Sequence, residues 1–581
     1  MCGFTAYFSN GSIGRHHIEA LEQSNKDMLH RGPDEQDVWY HERVALAHVR
    51  LSIIGVSNGH QPIFNEGRTV ALVCNGEIYN YRQLRRQLQG RGHHFVTESD
   101  SEVIVHLYEE YGERLCAHLD GMFAFCLYDT QTGTLLLARD LAGKKPLYYA
   151  HTPDGIVFSS ELEVIRKHFL TNPRANFEVI RQTQRHSYSI DPEETYVSGI
   201  RKVPYGSSVT VRPGERQLQF KRYCQRKIEA VFTGTYTDAC AEVRRLLVRA
   251  VEKRLQSEVP VAVLLSAGVD SSAIATIARG LTDDVHVISA GYSGTHDVDE
   301  RAAAKRLSND RGFKWHEIEL RESDFPSSLE EILSRLDEPN GDVAMFAQWE
   351  IYRQAREQGF KVLLSGNGGD ELFFGYSSHN DYARALAWGE DAFSPDFSFR
   401  KTTGMFLQQL RARLLHSDKF VLEKMFPQTL PVMRELERME PHGRPELHRA
   451  DWHRIDLPNT IDRVYHFLHY AWLANNCYFL ADKLAMAHSV EVRSPFADRD
   501  LMNFVDSLPL SMRFRNGRPK QLLKDSLSDL LPKYVLNRQK TGFTPPTAFI
   551  TKLVNSYSPR YFRESPQNLA QLVTDQFVAR L

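Results

Sequence analysis

An apolar run that ends in a small, hydroxyl-rich turn is the feature that most constrains the fold of this chain. Residues 261–265 are all apolar, and Ser266-Ala267-Gly268-Val269-Asp270-Ser271-Ser272 follow directly. A continuous apolar run of this length predicts a strand buried on both faces of a parallel sheet. Residues 271–281 are helix-forming and small. The sequence therefore predicts a strand, a tight loop and a helix, as in an α/β domain.

The same loop has the chemistry of a phosphate site. The backbone N–H groups of residues 268–272 would lie at a helix N-terminus, where unpaired donors and the helix dipole favour an anion. Ser266, Ser271 and Ser272 add hydroxyl donors, and Asp270 can hold a cation. The chain contains no Walker A sequence. An unusual phosphate loop and an ordinary strand-to-helix turn are the two interpretations.

The loop resembles the SGGxDSS pyrophosphatase loop of ATP-dependent enzymes that adenylate a substrate and release pyrophosphate. Ala267 stands where that family usually has glycine. A methyl group there is expected to narrow the space in which the backbone approaches a phosphate. We therefore expect the loop to be displaced or less effective in this chain.

The composition indicates a globular chain with two or more domains. A length of 581 residues exceeds one comfortable core, while 42% hydrophobic and 25% charged residues are ordinary values. Lys and Arg total 71 against 73 Asp and Glu, without a basic stripe, which argues against nucleic acid or an acidic membrane surface as a partner. Seven cysteines without CxxC pairs fit neither a zinc site nor a disulfide framework. With no signal peptide or membrane span evident, a cytoplasmic location is expected.

The N-terminus carries a candidate nucleophile. Removal of Met1 would leave Cys2 as the first residue, with its thiol beside a free α-amine. An α-amine with a pKa of about 7.7–8.0 can accept the proton of its own side chain, as in N-terminal nucleophile enzymes. Taken alone, a cysteine at this position is also compatible with chance.

Five ordered blocks resemble a class II glutamine amidotransferase domain. They lie at residues 31–34, 48–53, 74–80, 99–102 and 138–149. The resemblance implies that Cys2 attacks glutamine, and that the glutamine-binding residues are Arg50, Ile53, Asn75, Gly76, Glu77 and Asp100. Arg50 suits the α-carboxylate of glutamine and Asp100 and Glu77 its α-ammonium, while Asn75 and Gly76 suit an oxyanion hole. A surface ion pair for Arg50 and a hairpin turn for Asn75-Gly76 are also compatible with the sequence.

This N-terminal part is predicted to be an α+β unit. Alternating segments at 68–74, 124–128, 134–138 and 155–159 predict antiparallel sheets, and helical spacing predicts a helix over 98–112. The resemblance implies a sandwich of two antiparallel sheets between helices. We expect the amidotransferase domain to span residues 1–225, with the polar segment 171–235 leading to a second domain over 236–581. The six cysteines beyond Cys2 are interpreted as structural.

The second domain is predicted to be a doubly wound parallel sheet. A helical stripe begins near residue 237. Strand patterns at 285–290, 313–320 and 361–364 then alternate with helical patterns at 300–311 and 343–359. Alternation of this kind predicts parallel strands with ligands bound outside their carboxyl ends.

Further blocks in this domain resemble the asparagine synthetase family. Residues 364–376 resemble its signature SGDGGDELFGGY, and residues 482–496, 518–523 and 538–543 resemble its remaining blocks. The implied ATP-binding residues are Leu265, Ser266, Gly268, Asp270, Ser271, Ser272, Ala290, Ser365 and Gly366. Asp270 and Asp370 are expected to bind Mg²⁺ together with the phosphates, and Lys520 is the implied catalytic lysine that faces the pyrophosphate. A glycine-rich loop without a ligand and a solvated lysine are the competing interpretations.

Together the two halves resemble a glutamine-hydrolysing asparagine synthetase. The resemblance implies that ATP converts a carboxylate to an acyl-adenylate, and that ammonia from glutamine then forms the amide, with aspartate as the default acceptor. Asn367 replaces an acid of the signature and Phe374 a glycine, so a sugar or secondary-metabolite carboxylate is a second candidate acceptor. A ring-closing cyclase and a non-catalytic binding relative are two further candidate functions. A homodimer is compatible with the sequence, which does not determine the oligomeric state.

Overall fold

The computed structural model describes residues 2–294, 299–376, 468–538 and 567–581, apart from residues 216 and 225, together with residues 462, 465, 545, 546, 549 and 550. The predicted block at 538–543 lies outside the described residues except for Arg538. The resemblance is weakest over 377–470 and after 546, and much of both stretches, including 377–461 and 551–566, also lies outside the described residues.

The N-terminal part is a sandwich of two antiparallel sheets. Its strands are β1 (Cys2–Ser9), β2 (Glu35–His41), β3 (Val44–Arg50), β4 (Ile63–Phe64), β5 (Val70–Ile78), β6 (Gly121–Asp129), β7 (Thr134–Arg139), β8 (Tyr148–Thr152), β9 (Gly155–Ser159), β10 (Ile200–Lys202), β11 (Ser207–Val211) and β12 (Phe220–Arg222). One sheet has the order β10-β8-β9-β1-β3-β2 and the other β12-β11-β7-β6-β5-β4. Apolar side chains of both sheets, among them Phe4, Phe8, Val73 and Leu137, form a common core. The predicted sandwich is confirmed.

Helices cover the sandwich, and the polar segment belongs to it. The helices are α1 (Arg15–Met28), α2 (Tyr81–Gln89), α3 (Val103–Tyr111), α4 (Leu162–His168) and α5 (Phe177–His186), and a 3₁₀ turn, Asp100–Glu102, precedes α3. The polar composition of residues 171–222 predicted a connection to the second domain. This segment contains α5 and β10 to β12. These strands add to both sheets, so this stretch completes the sandwich.

A parallel sheet forms the centre of the C-terminal part. Its strands are β13 (Val261–Leu264), β14 (His286–Tyr292), β15 (Lys314–Leu320), β16 (Val362–Leu364) and β17 (Glu491–Arg493). All pairings are parallel, in the order β15-β14-β13-β16-β17. The chain leaves β13 towards β14 on one side and returns to β16 on the other. The predicted doubly wound sheet is confirmed, and its ligand crevice is expected where the strand order reverses, at β13 and β16.

Helices flank this sheet and make up the C-terminal part. They are α6 (Tyr236–Arg254), α7 (Val269–Leu281), α8 (Arg301–Arg311), α9 (Phe325–Arg335), α10 (Ala344–Glu357), α11 (Gly369–Leu372), α12 (Phe479–Ala487), α13 (Arg499–Ser507), α14 (Leu510–Arg513), α15 (Gln521–Ser526), α16 (Lys533–Leu536) and α17 (Gln567–Val578). A π-helix, Leu468–Tyr478, leads into α12. In the part of the chain that the structure describes, no helix is both long enough and apolar enough to cross a membrane.

Candidate active site

Cys2 begins β1 in the interior of the sandwich. Only 6% of the residue is exposed, and its backbone N–H donates to Asn75 Oδ1 at 3.3 Å. Its strand partner is Arg50 of β3. Burial raises the pKa of the Cys2 thiol, and the Leu51 backbone and the Arg50 charge only partly oppose that shift. A buried thiol of this kind needs a base to become a nucleophile.

Asn75 and Gly76 lie inside β5, so the hairpin interpretation is wrong. They pair with Ala124 and Phe123 of β6 in a continuous antiparallel ladder. Asn75 is fully buried, and its Nδ2 has no hydrogen-bond partner among the described residues. A Cβ on Gly76 would lie 2.2 Å from the Met122 carbonyl oxygen, so contact with β6 requires glycine there. The strand therefore presents an unused amide donor beside Cys2, as an oxyanion hole requires.

Arg50 is a buried residue with several partners. Its Nη1 donates to Glu35 Oε1 at 2.8 Å, and its Nη2 donates to the Gly55 carbonyl at 2.6 Å. The side chain is 4% exposed, which excludes a solvated surface pair. Ile53 is also buried, and its carbonyl accepts from the Glu258 N–H at 3.0 Å. The binding of glutamine by Arg50 and Ile53 stays a prediction. It requires the Arg50 guanidinium to contact both Glu35 and the ligand.

The two carboxylates predicted for the α-ammonium have different surroundings. Glu77 Oε1 lies 3.2 Å from Arg493 Nη2, and burial raises the pKa of Glu77 well above its usual value. Asp100 Oδ2 accepts from the Ile78 N–H at 2.6 Å, and burial raises the pKa of Asp100 to about 6. Because Glu77 already has a cationic partner, Asp100 is the better placed of the two to accept an ammonium group.

Arg493 is a residue whose part in this site the sequence did not indicate. It is fully buried on β17, pairs with Glu491, and donates to the carbonyls of Arg254 at 2.9 Å and Gln256 at 2.6 Å. The alternating pattern Val490-Glu491-Val492-Arg493 is typical of a strand with one exposed face. Both faces are covered here, because the sandwich packs against β17. In the sequence, the only indication of a functional role for Arg493 was its place in the block 482–496, which resembles the asparagine synthetase family.

The loop after β13 is organised by its serines. Ser271 Oγ accepts from the Ser266 N–H at 3.2 Å and lies 3.1 Å from Ser266 Oγ, while the Gly268 N–H donates to Ser266 Oγ at 3.4 Å. Gly268 caps α7, so Asp270 lies in the first helical turn. Ser272 Oγ is buried without a hydrogen-bond partner among the described residues. This arrangement matches the helix N-terminus that the sequence predicted.

Ala267 puts strain on the backbone of the loop. Its φ is +55°, in the left-handed region that glycine adopts without strain. The residue is 1% exposed and belongs to the hydrophobic core. Conformational strain is therefore a cost of alanine at this position, and the expected effect of its methyl group on phosphate binding stays a prediction.

Lys520 lies between the two aspartates that follow β13 and β16. Its Nζ contacts Asp270 Oδ2 and lies 2.7 Å from Asp370 Oδ1. Although burial opposes it, the charges of Asp270 and Asp370 raise the pKa of Lys520. Two carboxylates that share one ammonium group are close enough to share one cation, and carboxylate oxygens are ligands that Mg²⁺ prefers. The residues present therefore fit the expected ion.

Glycines make room for this cluster. A Cβ on Gly375 would lie 1.8 Å from Asp370 Oδ1 and 2.4 Å from Lys520 Cε. A Cβ on Gly369 would lie 2.7 Å from Asp270 Cγ, and one on Gly366 would lie 3.0 Å from Asp270 Cβ. Gly366, Gly369 and Gly375 thus have a steric role around the two aspartates.

The two departures in that block have different consequences. Phe374 has a φ of +57° and is 2% exposed, and its ring lies 3.9 Å from the Tyr465 ring and 5.2 Å from the Phe514 ring, measured between centroids. Its bulk is therefore taken up by aromatic packing. Asn367 is half-buried, and its N–H donates to Ser365 Oγ at 3.4 Å. An amide at this position cannot act as a base.

The remaining predicted ATP residues lie at the same edge of the sheet. Leu265 directly follows β13, and its N–H donates to the Ile288 carbonyl at 2.8 Å. Ala290 is near the end of β14, while Ser365 and Gly366 follow β16. Because β14, β13 and β16 are parallel neighbours, their carboxyl ends meet. The structure thus brings the nine residues to one edge, while their contact with ATP stays a prediction.

A buried charge network connects Cys2 to the second domain. Arg31 Nε donates to the Cys2 carbonyl at 3.1 Å. The same guanidinium lies 2.8 Å from Glu161 and 2.8 Å from Asp482 of α12, and Lys483 lies 2.9 Å from Glu161. The strand that carries the thiol is therefore held directly against the C-terminal part.

Comparison with known proteins agrees with the division of the chain into these two parts. A glutamine amidotransferase domain model matches residues 1–224, and an asparagine synthase model matches residues 242–581. Glutamine-hydrolysing asparagine synthetase 1 of Bacillus subtilis is 30% identical over 94% of this chain and 87% of its own length. A putative glutamine-hydrolysing asparagine synthetase of Mycobacterium bovis is 30% identical over 94% of this chain and 88% of its own length. Amidase chry2 of Gibberella zeae is 28% identical over 94% of this chain and 89% of its own length.

The fold and the two family models define an N-terminal nucleophile amidotransferase joined to an ATP-dependent carbon–nitrogen ligase. Within that class, the chain belongs to the asparagine synthase family.

Proposed function

We propose that the chain makes an amide from a carboxylate, ATP and glutamine, with residues 1–225 as the glutaminase and residues 236–581 as the synthetase. The observation that carries this proposal is Lys520 between Asp270 and Asp370, at the carboxyl ends of β13 and β16. Cys2 beside the unused Asn75 amide in the same chain supplies the other half of the chemistry.

In the glutaminase half, the Cys2 thiol attacks the side-chain amide of glutamine. Once Met1 is removed, the α-amine of Cys2 takes the thiol proton and passes it to the departing ammonia. Asn75 Nδ2 and the Gly76 N–H stabilise the oxyanion of the tetrahedral intermediate. Arg50, Ile53, Glu77 and Asp100 are proposed to hold glutamine. Water then hydrolyses the thioester and releases glutamate.

In the synthetase half, an oxygen of the acceptor carboxylate attacks the α-phosphate of ATP, and pyrophosphate leaves. The loop from Ser266 to Ser272 binds the phosphates, and Lys520 stabilises the negative charge that develops on the pyrophosphate. Asp270 and Asp370 would hold Mg²⁺, which neutralises phosphate charge when bound. Ammonia then attacks the acyl-adenylate, so the amide forms and AMP leaves. Water has to be excluded from that adenylate, which favours joining both activities in one chain.

Aspartate is the proposed acceptor by default. Asn367 in place of an acid favours a second candidate, a carboxylate of a sugar or a secondary metabolite, because the amide changes the hydrogen bonding and charge near the expected reacting centre. The similarity to a fungal protein named an amidase is compatible with that second candidate.

Pyrophosphate and AMP release tests the proposal. The full chain is assayed with aspartate and with a panel of sugar and aromatic carboxylates, each with glutamine, with ammonium or without a nitrogen donor. Release with one carboxylate, together with formation of its amide from either nitrogen source, supports the proposal and identifies the acceptor. Ring closure without a nitrogen donor would indicate a cyclase. Absence of release under every condition, with intact folding, would indicate a binding relative.

A further inference from the structure

Four side chains outside both proposed sites converge on the surface of the sandwich. They are Glu66 in the turn between β4 and β5, His93 after α2, and His106 and Glu109 of α3. One ligand atom from each residue lies within 4.8 Å of the others. Neither the glutaminase nor the synthetase chemistry uses these residues.

Four distances between the histidine nitrogens and the glutamate oxygens are close to those expected between ligands of one metal ion. His106 Nδ1 lies 3.1 Å from Glu109 Oε2 and 3.5 Å from Glu66 Oε2. His93 Nδ1 lies 3.5 Å from Glu109 Oε2 and 3.8 Å from Glu66 Oε1. With Zn²⁺ bonds of about 2.0–2.1 Å, the edge of a coordination tetrahedron is about 3.3 Å. These four distances bracket that value, and one ligand atom from each of the four residues lies within 4.8 Å of the others.

A second set of contacts orients the ligands. Each imidazole directs Nδ1 into the cluster and Nε2 towards another carboxylate: His93 Nε2 lies 3.0 Å from Glu110 Oε1, and His106 Nε2 lies 3.7 Å from Glu102 Oε1. The Asn65 amide donates to Glu109 Oε1 at 2.7 Å, and the His94 N–H donates to Glu66 Oε1 at 2.7 Å. Carboxylates behind histidine ligands and hydrogen bonds to ligating carboxylates are the outer contacts of a metal site.

His106 distinguishes this cluster from a group of exposed surface charges. Its side chain is fully buried, and its Nε2 has no hydrogen-bond partner among the described residues. Its Nδ1 faces two glutamate oxygens from different segments. A hydrogen bond from Nδ1 to Glu109 accounts for one of these contacts. A metal ion on Nδ1 would bind both carboxylates and would leave the proton on Nε2, towards Glu102.

We propose that Glu66, His93, His106 and Glu109 form a structural Zn²⁺ site. Two neutral imidazoles and two carboxylates carry a charge of −2, which a divalent ion balances. The mixture of nitrogen and oxygen donors suits Zn²⁺ better than Mg²⁺ or Ca²⁺, which prefer oxygen alone. Four protein ligands leave no open position, as in a structural site.

The ion would hold the segment that leads to the glutaminase site. Glu102, behind His106, accepts from the Val96 N–H at 2.6 Å and from the Thr97 N–H at 2.7 Å. Asp100 lies between Thr97 and α3. The site therefore ties the turn at Glu66, the segment 93–99 and the start of α3 together.

Zn²⁺ binding to the purified full chain tests this inference. After chelator treatment and dialysis, we expect one equivalent of Zn²⁺ to bind at this cluster and to raise the Tm. Co²⁺ at the same place should show the strong visible absorption of tetrahedral coordination. His93→Gln and Glu109→Gln should each weaken the affinity by more than about 100-fold, beyond the loss typical of outer contacts, and abolish the rise in Tm.

Matched controls separate this cluster from other ligands. His94→Gln changes the exposed neighbour of His93 and should leave binding unchanged. His16→Gln removes a ligand from a second group, formed by His16, His17 and Asp154, and should also leave the tight equivalent in place. Retention of that equivalent in both His93→Gln and Glu109→Gln, its loss in His16→Gln, or no tight binding by the unmodified chain would overturn the proposal. Circular dichroism confirms folding of each variant, and none of these measurements depends on amide synthesis.

Discussion

Arg493 of the parallel sheet lies 3.2 Å from Glu77 of the sandwich, as a buried ion pair between the two halves of the chain. Ser494 follows Arg493, and its Oγ lies 3.4 Å from Ser365 Oγ at the end of β16. One short stretch of chain therefore contacts both the predicted glutamine site and the predicted ATP edge. A disturbance of β17 is expected to affect both sites.

Replacing Arg493 with methionine should destabilise the chain strongly. The change leaves the Glu491 carboxylate buried without its cation, which typically costs about 3–5 kcal/mol. Urea unfolding measures the loss. Arg499→Gln is the control, because Arg499 donates to the Leu119 carbonyl across the same interface from a half-buried position and should cost about 1 kcal/mol or less. Adding Glu491→Gln to Arg493→Met should restore part of the loss, and no recovery would contradict this account.

Asp100→Asn should stabilise the chain at neutral pH. Burial raises the pKa of Asp100 from 3.8 to about 6, so the folded state binds its proton more tightly than the unfolded state. The free energy of unfolding therefore falls as pH rises from about 4 to 6, and the cost at pH 7 is about 3 kcal/mol. Asparagine removes that cost and can keep the hydrogen bond from the Ile78 N–H.

The pH dependence distinguishes this effect from a general change in packing. The gain from Asp100→Asn should shrink from about 3 kcal/mol at pH 7 to about 1 kcal/mol at pH 4.5 in denaturant unfolding. If Asp100 binds the glutamine ammonium, the variant should also raise the KM for glutamine. A gain that is equal at both pH values would contradict the assigned cause.

Cys2→Ala should separate the two nitrogen sources. The variant lacks the nucleophile, so amide formation from glutamine should disappear while formation from ammonium continues. The measurement compares amide and AMP yields with each source. Cys126→Ala is the control, because Cys126 is fully buried in β6 and its change should lower stability without removing either activity. Normal use of glutamine by Cys2→Ala would exclude Cys2 as the nucleophile.

Gly375→Ala should impair the synthetase half selectively. Its Cβ would overlap Asp370 Oδ1, at 1.8 Å, and crowd Lys520 Cε, so both groups have to move. We expect pyrophosphate release to fall by about 100-fold or more, since misplacement of about 1 Å can cost that much. Glutaminase activity should remain. Gly280→Ala is the control, because nothing lies within 4 Å of a Cβ there and alanine favours a helix. Unchanged pyrophosphate release in Gly375→Ala would contradict the proposed role of the cluster.

Local sequence was sufficient where short-range patterns decide the structure. The strand and helix around the phosphate loop, predicted at 261–265 and 271–281, are observed at Val261–Leu264 and Val269–Leu281. Apolar runs, helical spacing and small residues act over a few positions, so they are visible in the chain itself. The Asn75-Gly76 pair shows the limit. Its local chemistry suits a hairpin turn, and only pairing with β6, more than 40 residues away, places it inside a strand.

The sequence by itself determined the two kinds of domain, the candidate nucleophile and the residue types at both sites, because each depends on local pattern or motif. Only the tertiary structure decided which charges meet. Strand order brings Asp270, Asp370 and Lys520 together, and packing of the sandwich against β17 buries Arg493 beside Glu77. It also showed that Ala267 lies in a left-handed conformation within the core. Burial and contacts between distant segments are properties of the folded chain. They depend on which surfaces pack together and not on residues that are adjacent in the sequence.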